Sequence, residues 1–132
     1  MSGRLADLSG PEVADLLTSD SVIVLPVGAI EQHGPHLPMS VDTVIADEVA
    51  SALLNAVGDD IDLWLLPTLA VSKSNEHVWS PGTLSLSTET LLRVLDDLAA
   101  CVAATPARRL VFLNGHGGNS SLLTTACRDL RV

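Results

Sequence analysis

The sequence predicts a three-layer α/β fold, in which a parallel sheet lies between two layers of helices. Apolar segments alternate with amphipathic segments along the chain, which gives a repeated strand–helix order. The first strand segment is a continuous apolar run, as is typical of parallel strands that are buried on both faces. The length of 132 residues fits one domain, and we expect that domain to cover residues 1–132.

The first helix and the first strand have clear boundaries in the sequence. Ser9 and Glu12 have the spacing of a capping box and begin a short helix that ends near Leu17. Residues 21–28 form a continuous aliphatic run and are expected to be a buried strand. Because proline cannot donate to a ladder, we expect Pro26 at the end of this strand or at a sheet edge.

The second helix is predicted over residues 43–57. Asp42 is placed to cap its first turn, and Gly58 ends it. Apolar residues recur at helical spacing and predict the face that packs on the sheet. These residues are Ile45, Val49, Leu53 and Ala56.

The second half of the chain repeats the strand–helix order twice. Strands are expected over residues 62–71 and 110–113, with a helix over residues 88–104 between them. A last helix begins at Asn119 or Ser120. The residues expected to face the core are Leu91, Leu95, Leu98 and Val102 in the third helix and Leu122, Ala126 and Leu130 in the fourth.

Three predicted strands leave long unpaired sheet edges. We therefore expect a fourth strand just past Val132, and a chain that is a fragment or a shortened protein. Hydrophobic residues make up 47% of the sequence. Two explanations stay open for this content: strands buried on both faces, or an apolar surface that meets another subunit or a part of the fold absent from the chain.

The charge balance excludes some classes of partner. Lys+Arg 7 against Asp+Glu 16 gives a net charge of −9, which speaks against nucleic acid and anionic membranes. No apolar run reaches the ~18 residues of a transmembrane helix, and the first residues lack a signal-peptide core. Cys101 and Cys127 fall on apolar helix stripes and are expected to be free, buried thiols in a reducing cytoplasm, with one disulfide as the alternative.

Ionisable residues follow the predicted strands at their carboxyl ends. In an open parallel sheet these ends share one edge, which is where such folds bind their ligands. Imidazoles and carboxylates together are the ligands of zinc, manganese, iron and cobalt. We expect seven side chains to converge there: Glu31, His33, His36 and Asp42 in the first loop, Glu76 and His77 in the second, and His116 in the third.

Glu31, His33 and Asp42 are the first candidate ligands. Glu31 and His33 have the same parity, so in extended backbone their side chains point to one side and can bind one ion. Asp42 has two oxygens and can bridge two ions. The alternative for Asp42 is a helix cap alone, and the two roles do not exclude each other.

The segment NGHGGN at residues 114–119 is the second candidate. Glycines before a helix allow close backbone approach and present N–H groups at the helix start. A phosphate-binding loop is the alternative, but the GxxxxGK pattern is missing. His116 between glycines at a strand end therefore indicates a metal ligand or a catalytic base.

These motifs together resemble the creatininase (creatinine amidohydrolase) family. The resemblance rests on EQHGPHLP at 31–38, Asp42, Glu-His at 76–77 followed by PGTL at 81–84, and NGHGGN at 114–119. It runs from about residue 25 to residue 119 in the family's order. The last motif, with the preceding ARRLVFL, is most similar to the branch that includes the mycofactocin precursor peptidase.

The resemblance implies an α/β/α fold with two divalent ions (Zn, Mn or Fe), and the family is usually a homo-hexamer. This chain would be the N-terminal half to two-thirds of the family fold. It implies hydrolysis of a C–N bond in a cyclic amide, a formamide or a peptide-like amide by a metal-activated hydroxide. Glu31 and His116 would bind one ion and His33 the other, with Asp42 as the bridge.

The resemblance also implies substrate-side residues and two departures. His36, Glu76 and His77 would lie near the substrate, although a solvated polar loop is an equal alternative for the last two. Backbone N–H groups of Gly117 and Gly118 would stabilise the oxyanion. In creatininase proper a glutamate occupies the position of Gly118 and completes the second ion's ligands. In the branch with NGHGGN a carboxylate from a later segment takes its place. The resemblance implies that this segment, and the general-base histidine of the family, would lie beyond Val132.

Two functions therefore follow from the sequence. The first is a metal-dependent amidohydrolase, active in a longer chain or in an oligomer. The alternative is a catalytically incomplete homologue that serves as a metal-binding or subunit-association module. A dinucleotide-binding domain is excluded because no glycine fingerprint follows the first strand.

Overall fold

The computed structural model describes residues 1–131 and contains a parallel four-stranded sheet. The strands are β1 (Gly3–Arg4), β2 (Val22–Val27), β3 (Leu63–Leu65) and β4 (Arg109–Asn114), in the spatial order β1-β3-β2-β4. The helices are α1 (Gly10–Leu16), α2 (Val41–Val57), α3 (Thr88–Ala103) and α4 (Ser120–Asp129). The α/β class with a parallel sheet is confirmed.

Helices cover both faces of the sheet, which gives the three predicted layers. On one face, Val24 of β2 packs with Ala50 of α2. On the other face, Leu25 of β2 packs with the predicted core residues Leu91 of α3 and Leu122 of α4. The capping box of α1 is also confirmed, since the Ser9 N–H and hydroxyl donate to the Glu12 carboxylate at 2.7 and 2.6 Å.

The expectation of three strands was incomplete. The additional strand is β1, which lies near the N-terminus of the chain and pairs with β3. β1 has only two residues, which are too few to give a periodic pattern in the sequence. β3 covers only three of the ten residues predicted as a strand, because Pro67 follows it closely and cannot donate to a ladder. The fourth strand predicted past Val132 lies outside the described residues.

Pro26 lies at the end of its strand, as predicted, but in a central strand and not at a sheet edge. β2 pairs with β3 on one side and with β4 on the other. The carbonyls of Val24 and Pro26 both accept bonds from the β3 side, from Leu66 and Leu69. The Pro26 nitrogen therefore faces the side on which β3 has already ended, where no ladder bond is lost.

The predicted core face of α2 was wrong at Ile45, Val49 and Ala56, whereas Leu53 packs against the core as expected. Ile45 and Val49 are 49% exposed, whereas Asp42, Ala46 and Ala50 are buried. The helix begins after Ser40, so Asp42 lies inside its first turn and is not the N-cap. The small residues face the sheet because α2 lies close to it.

Two glycines show how close α2 lies to the strand ends. A Cβ at Gly28 would collide with the backbone of Thr43, and a Cβ at Gly115 would meet the Asp42 carbonyl at 2.7 Å. Gly28 follows β2 and Gly115 follows β4. The N-terminal turn of α2, with Asp42, is thereby held at the carboxyl edge of the sheet.

The expectation of buried cysteines was also wrong. Cys101 and Cys127 are free, as expected, but both are exposed. Each lies one position from an inward-facing residue, Val102 or Ala126, and one position rotates a side chain by about 100° around a helix. Within residues 1–131, no helix is long and apolar enough to span a bilayer.

Candidate metal centre

Three buried ionisable side chains meet at the carboxyl edge of the sheet. Glu31 follows β2, Asp42 lies in the first turn of α2, and His116 follows β4. Their exposed fractions are 4%, 7% and 5%. Each offers one metal-ligating atom, and these atoms lie within 4.8 Å of one another.

Asp42 contacts two imidazoles through its two separate oxygens. Oδ2 lies 2.8 Å from His116 Nδ1, and Oδ1 lies 3.0 Å from His33 Nε2. The carboxylate therefore stands between the two rings. In this arrangement one carboxylate can bind an ion beside each ring, with one oxygen for each ion.

Backbone carbonyls orient both rings. His116 Nε2 lies 2.9 Å from the carbonyl oxygen of Lys73, and His33 Nδ1 lies 3.1 Å from that of Glu31. Because a carbonyl can only accept, each of these ring nitrogens donates a hydrogen to it. The other nitrogen of each ring faces an oxygen of Asp42, and it would present its lone pair to a bound ion, as in metal-binding histidines.

Glu31 has one carboxylate oxygen without a partner. Oε1 lies 3.3 Å from His116 Nδ1, whereas Oε2 is buried and has no hydrogen bond. A buried polar atom without a partner costs about 1–3 kcal/mol, and more when it is charged. A divalent cation would satisfy this oxygen and the two inward lone pairs. The donor set at this edge therefore fits a metal ion.

A second group of donors adjoins the first through Glu31. Glu76 and His77 lie in a 3₁₀ turn (Asn75–His77), and their ligating atoms lie within 4.8 Å of each other and of Glu31. His77 Nε2 is 3.8 Å from Glu31 Oε1, and Gln32 Nε2 is 3.3 Å from His77 Nδ1. The side chains of Glu76 and His77 are 42% and 29% exposed, so this group is more open to water.

Gly118 leaves the space into which Glu76 extends. Gly117 and Gly118 begin a 3₁₀ turn (Gly117–Asn119) after His116. A Cβ at Gly118 would collide with Glu76 Oε1 and with His116 Nε2, whereas a Cβ at Gly117 would meet nothing within 4 Å. The side-chain-free position 118 is therefore required for the contact between Glu76 and His116, which measures 3.5 Å.

The structure brings together six of the seven side chains that were expected to converge. The exception is His36, which is exposed on the loop that follows β2. Sequence reasoning missed Gln32, Asn119 and the Lys73 backbone. Asn119 is fully buried and accepts from the Lys73 N–H at 3.2 Å. Backbone acceptors have no side-chain signal, but the glutamine between Glu31 and His33 could have been noticed.

Comparisons with known proteins identify the family to which this chain is similar. The sequence profile of the family described as creatinine amidohydrolase matches residues 6–132. The chain is 42% identical to the mycofactocin precursor peptide peptidase of Mycobacterium tuberculosis (strain H37Rv), over 97% of this chain and 53% of that protein. It is 36% identical to the creatinine amidohydrolase of Pseudomonas putida, over 89% of this chain and 47% of that protein.

Solved structures agree with the sequence comparisons. A structure named "Creatininase Mn" superposes with a TM-score of 0.83 at 34% identity, over 99% of this chain and 53% of that one. A mutant creatininase described as "Zn-Zn type" also gives a TM-score of 0.83, at 33% identity and with the same coverage of both chains. The chain thus spans about half the length of the curated relatives that it matches.

Proposed function

Since this chain belongs to the creatininase family, we propose that it acts as a metal-dependent amidohydrolase on a C–N amide bond. The substrate class is a cyclic amide, a formamide or a peptide-like amide. The proposal is supported by relatives named as a creatinine amidohydrolase and as a peptide peptidase. Because the match covers about half of their length, the activity of the whole relatives is a proposal for this chain.

The observation on which the proposal rests is the pair of contacts made by Asp42. Glu31, Asp42 and His116 would hold one divalent ion, and His33 would hold a second through the other oxygen of Asp42. The two ring nitrogens at Asp42 and the unpartnered oxygen of Glu31 support this assignment. Zinc, manganese and iron all suit such donors, and two related structures are named as Mn and Zn-Zn forms.

A divalent ion bound in this way supplies Lewis acidity for the amide carbonyl and a nucleophilic water at neutral pH. The chain supplies the orientation. The Lys73 and Glu31 carbonyls hold the two imidazole rings, and burial excludes bulk water from the carboxylates. The N–H groups of Gly117 and Gly118 are proposed as oxyanion donors.

Three further residues are proposed on the substrate side. Glu76 and His77 border the buried donors and are partly open to water. His36 is exposed on the first loop, and a role for it requires that the substrate extend to that loop. Among residues 1–131, no Lys or Arg lies at ion-pair distance from Glu31 or Asp42, and such carboxylates suit a neutral or cationic amide.

The experiment combines metal removal with a substitution. Exhaustive chelation should abolish hydrolysis of amide substrates by the purified chain, and added Zn²⁺ or Mn²⁺ should restore it. His116→Ala should abolish hydrolysis and bind less metal than the wild-type chain. Turnover that survives complete chelation would overturn the proposal.

The alternative is a metal-binding or subunit-association module without hydrolysis. It is favoured by the exposed apolar residues Ile45 and Val49 on α2. This alternative expects metal binding without turnover, together with self-association. A monodisperse monomer in light scattering would count against it.

Assembly and location are part of the same proposal. We propose a homo-oligomer, a hexamer by family resemblance, in which exposed apolar residues such as Ile45 and Val49 are covered. We propose the cytoplasm as its location, with Cys101 and Cys127 as reduced thiols. Size-exclusion chromatography with light scattering tests the assembly, and thiol titration of the native chain tests the cysteines.

A further inference from the structure

The hydrogen-bond partners of His77 differ from those of the other histidines at the carboxyl edge. We propose that Gln32 holds His77 in the tautomer that carries hydrogen on Nε2, so that His77 is a hydrogen-bond donor to the substrate amide and not a third metal-binding histidine. This inference rests on the proposed function only for the nature of the substrate. The tautomer itself follows from contacts within the chain.

The first step is the orientation of the Gln32 amide. The backbone N–H of Gly34 donates to Gln32 Oε1 at 2.9 Å. Since a backbone N–H can only donate, the atom that it contacts is the amide oxygen. The NH₂ group of Gln32 is therefore the end that faces His77 Nδ1, at 3.3 Å.

The second step is the state of the His77 ring. The NH₂ group of Gln32 can only donate, so His77 Nδ1 accepts and carries no hydrogen. The hydrogen of the neutral ring is then on Nε2, the atom 3.8 Å from Glu31 Oε1. His33 and His116 differ from His77, because their outer nitrogens donate to backbone carbonyls and their inner nitrogens lie at Asp42, where they could bind an ion.

The consequence concerns the second group of donors. By residue type, Glu31, Glu76 and His77 could hold a metal ion. With hydrogen on Nε2, however, His77 offers no lone pair at the atom that faces Glu31, and two carboxylates remain. The Nε2–H donor and the Glu76 carboxylate acceptor instead form a pair that complements an amide group, which has one acceptor and one donor.

The experiment measures the tautomers directly. Long-range ¹H–¹⁵N correlation spectra of the metal-free chain, at a pH where the rings are neutral, should show His77 with hydrogen on Nε2. His77 with hydrogen on Nδ1 would overturn the proposal. This outcome is independent of any amidase activity, so it is distinguishable from a failure of the proposed function.

A substitution should convert His77 into a ligand. In Gln32→Glu, one carboxylate oxygen keeps the Gly34 bond, and the other accepts from His77 Nδ1–H. The spectrum of His77 should switch to the other tautomer, and Zn²⁺ titration should show roughly one more equivalent bound per chain than in the wild type. The proposal fails if both the tautomer and the zinc stoichiometry stay unchanged.

A matched control separates the tautomer from the added charge. Asn75→Asp adds the same charge in the turn that contains His77, but Asn75 Oδ1 contacts the Lys73 ammonium and not His77. Asn75→Asp should leave the tautomer and the zinc stoichiometry as in the wild type. An equal gain of zinc in this variant would show that charge alone is responsible and would overturn the proposal.

A small amide tests the donor role. Adding N-methylacetamide to the metal-free chain should shift the His77 Nε2–H resonance in the wild type. In Gln32→Glu no such hydrogen is present in the neutral ring, so the response at Nε2 should be lost. Absence of a response in the wild type, or the same response in both chains, would overturn this part of the proposal.

Discussion

Helix α2 has two carboxylates five positions apart in the sequence, Asp42 and Asp47, and their surroundings are opposite. Asp47 is 39% exposed and accepts from the Thr68 hydroxyl at 2.7 Å and from the Arg4 guanidinium at 3.4 Å. Asp42 is buried and, within residues 1–131, faces two imidazoles and no Lys or Arg at ion-pair distance.

The difference shows which carboxylate has its hydrogen-bond and ion-pair partners within the fold. Hydrogen bonds and a cation lower the pKa of Asp47, with the Thr68 hydroxyl as the largest cause. Asp47 thus links β1, α2 and the Thr68 loop without any ligand. Asp42 and Glu31 instead crowd negative charge against histidines and leave a buried oxygen unpaired, which is an arrangement that a cation would stabilise.

The largest expected effect is on metal binding by Asp42→Asn. Since the substitution removes the carboxylate between the two rings, Zn²⁺ affinity should fall by more than the ~10–100-fold typical of residues that only support a ligand. A free zinc concentration of about 100 times Kd should stabilise the wild-type chain by about 2.7 kcal/mol. In Asp42→Asn this stabilisation should be lost. Calorimetric titration and thermal unfolding measure both.

Asp47→Asn is the matched control for that experiment. It makes the same chemical change on the same helix, but Asp47 contacts neither His33 nor His116. Its zinc affinity should equal that of the wild type. If Asp42→Asn bound zinc as tightly as Asp47→Asn did, the distinction between the two carboxylates would be wrong.

The next effect is expected from the two adjacent glycines. In Gly118→Ala the added methyl collides with Glu76 Oε1 and His116 Nε2, so the His116 ring must move from the Lys73 carbonyl. We expect zinc affinity to fall by about 10–100-fold. In Gly117→Ala the added methyl has no atom within 4 Å, so this variant should bind zinc with the affinity of the wild type. Equal affinities in the two variants would contradict the close approach at position 118.

The smallest effect is expected on stability, from Asp47→Asn. The lost bonds are partly exposed, so the free energy of unfolding should fall by about 1 kcal/mol at neutral pH. Because the pKa of Asp47 is lowered in the folded chain, its contribution is present above the ordinary aspartate pKa and is lost as the pH falls through the lowered value.

Urea unfolding at neutral pH and at about pH 3 tests the sign of this effect. The wild-type chain should lose more stability than Asp47→Asn over that interval, because the variant no longer has the carboxylate that titrates. An equal loss in both chains would mean that Asp47 contributes nothing to the pH dependence.

The fold class and the main donors could be predicted from the sequence because each has a local signal. Continuous aliphatic runs indicated parallel strands, and the helical spacing of Leu91 and Leu95 indicated the buried face of α3. Carboxyl ends of parallel strands share one edge, so Glu31, Asp42 and His116 could be expected to meet before any distance was known.

The face of α2 could not be predicted in the same way. Hydrophobic spacing favoured Ile45 and Val49, but the close approach of the helix to Gly28 and Gly115 selects small residues at the contact. That distance depends on strands far apart in the sequence. The exposure of Cys101 and Cys127 follows similarly from the rotation of each helix against its neighbours.

The sequence by itself determined the main donors at the carboxyl edge, Glu31, Asp42 and His116, since the loops that follow parallel strands can be located from local patterns. Only the tertiary structure decided what each of those residues can do there. The Lys73 carbonyl orients His116, Gln32 sets the hydrogen of His77, and Gly118 admits Glu76. The physical reason is that hydrogen-bond direction and close packing depend on backbone atoms of distant segments, which a residue type does not encode.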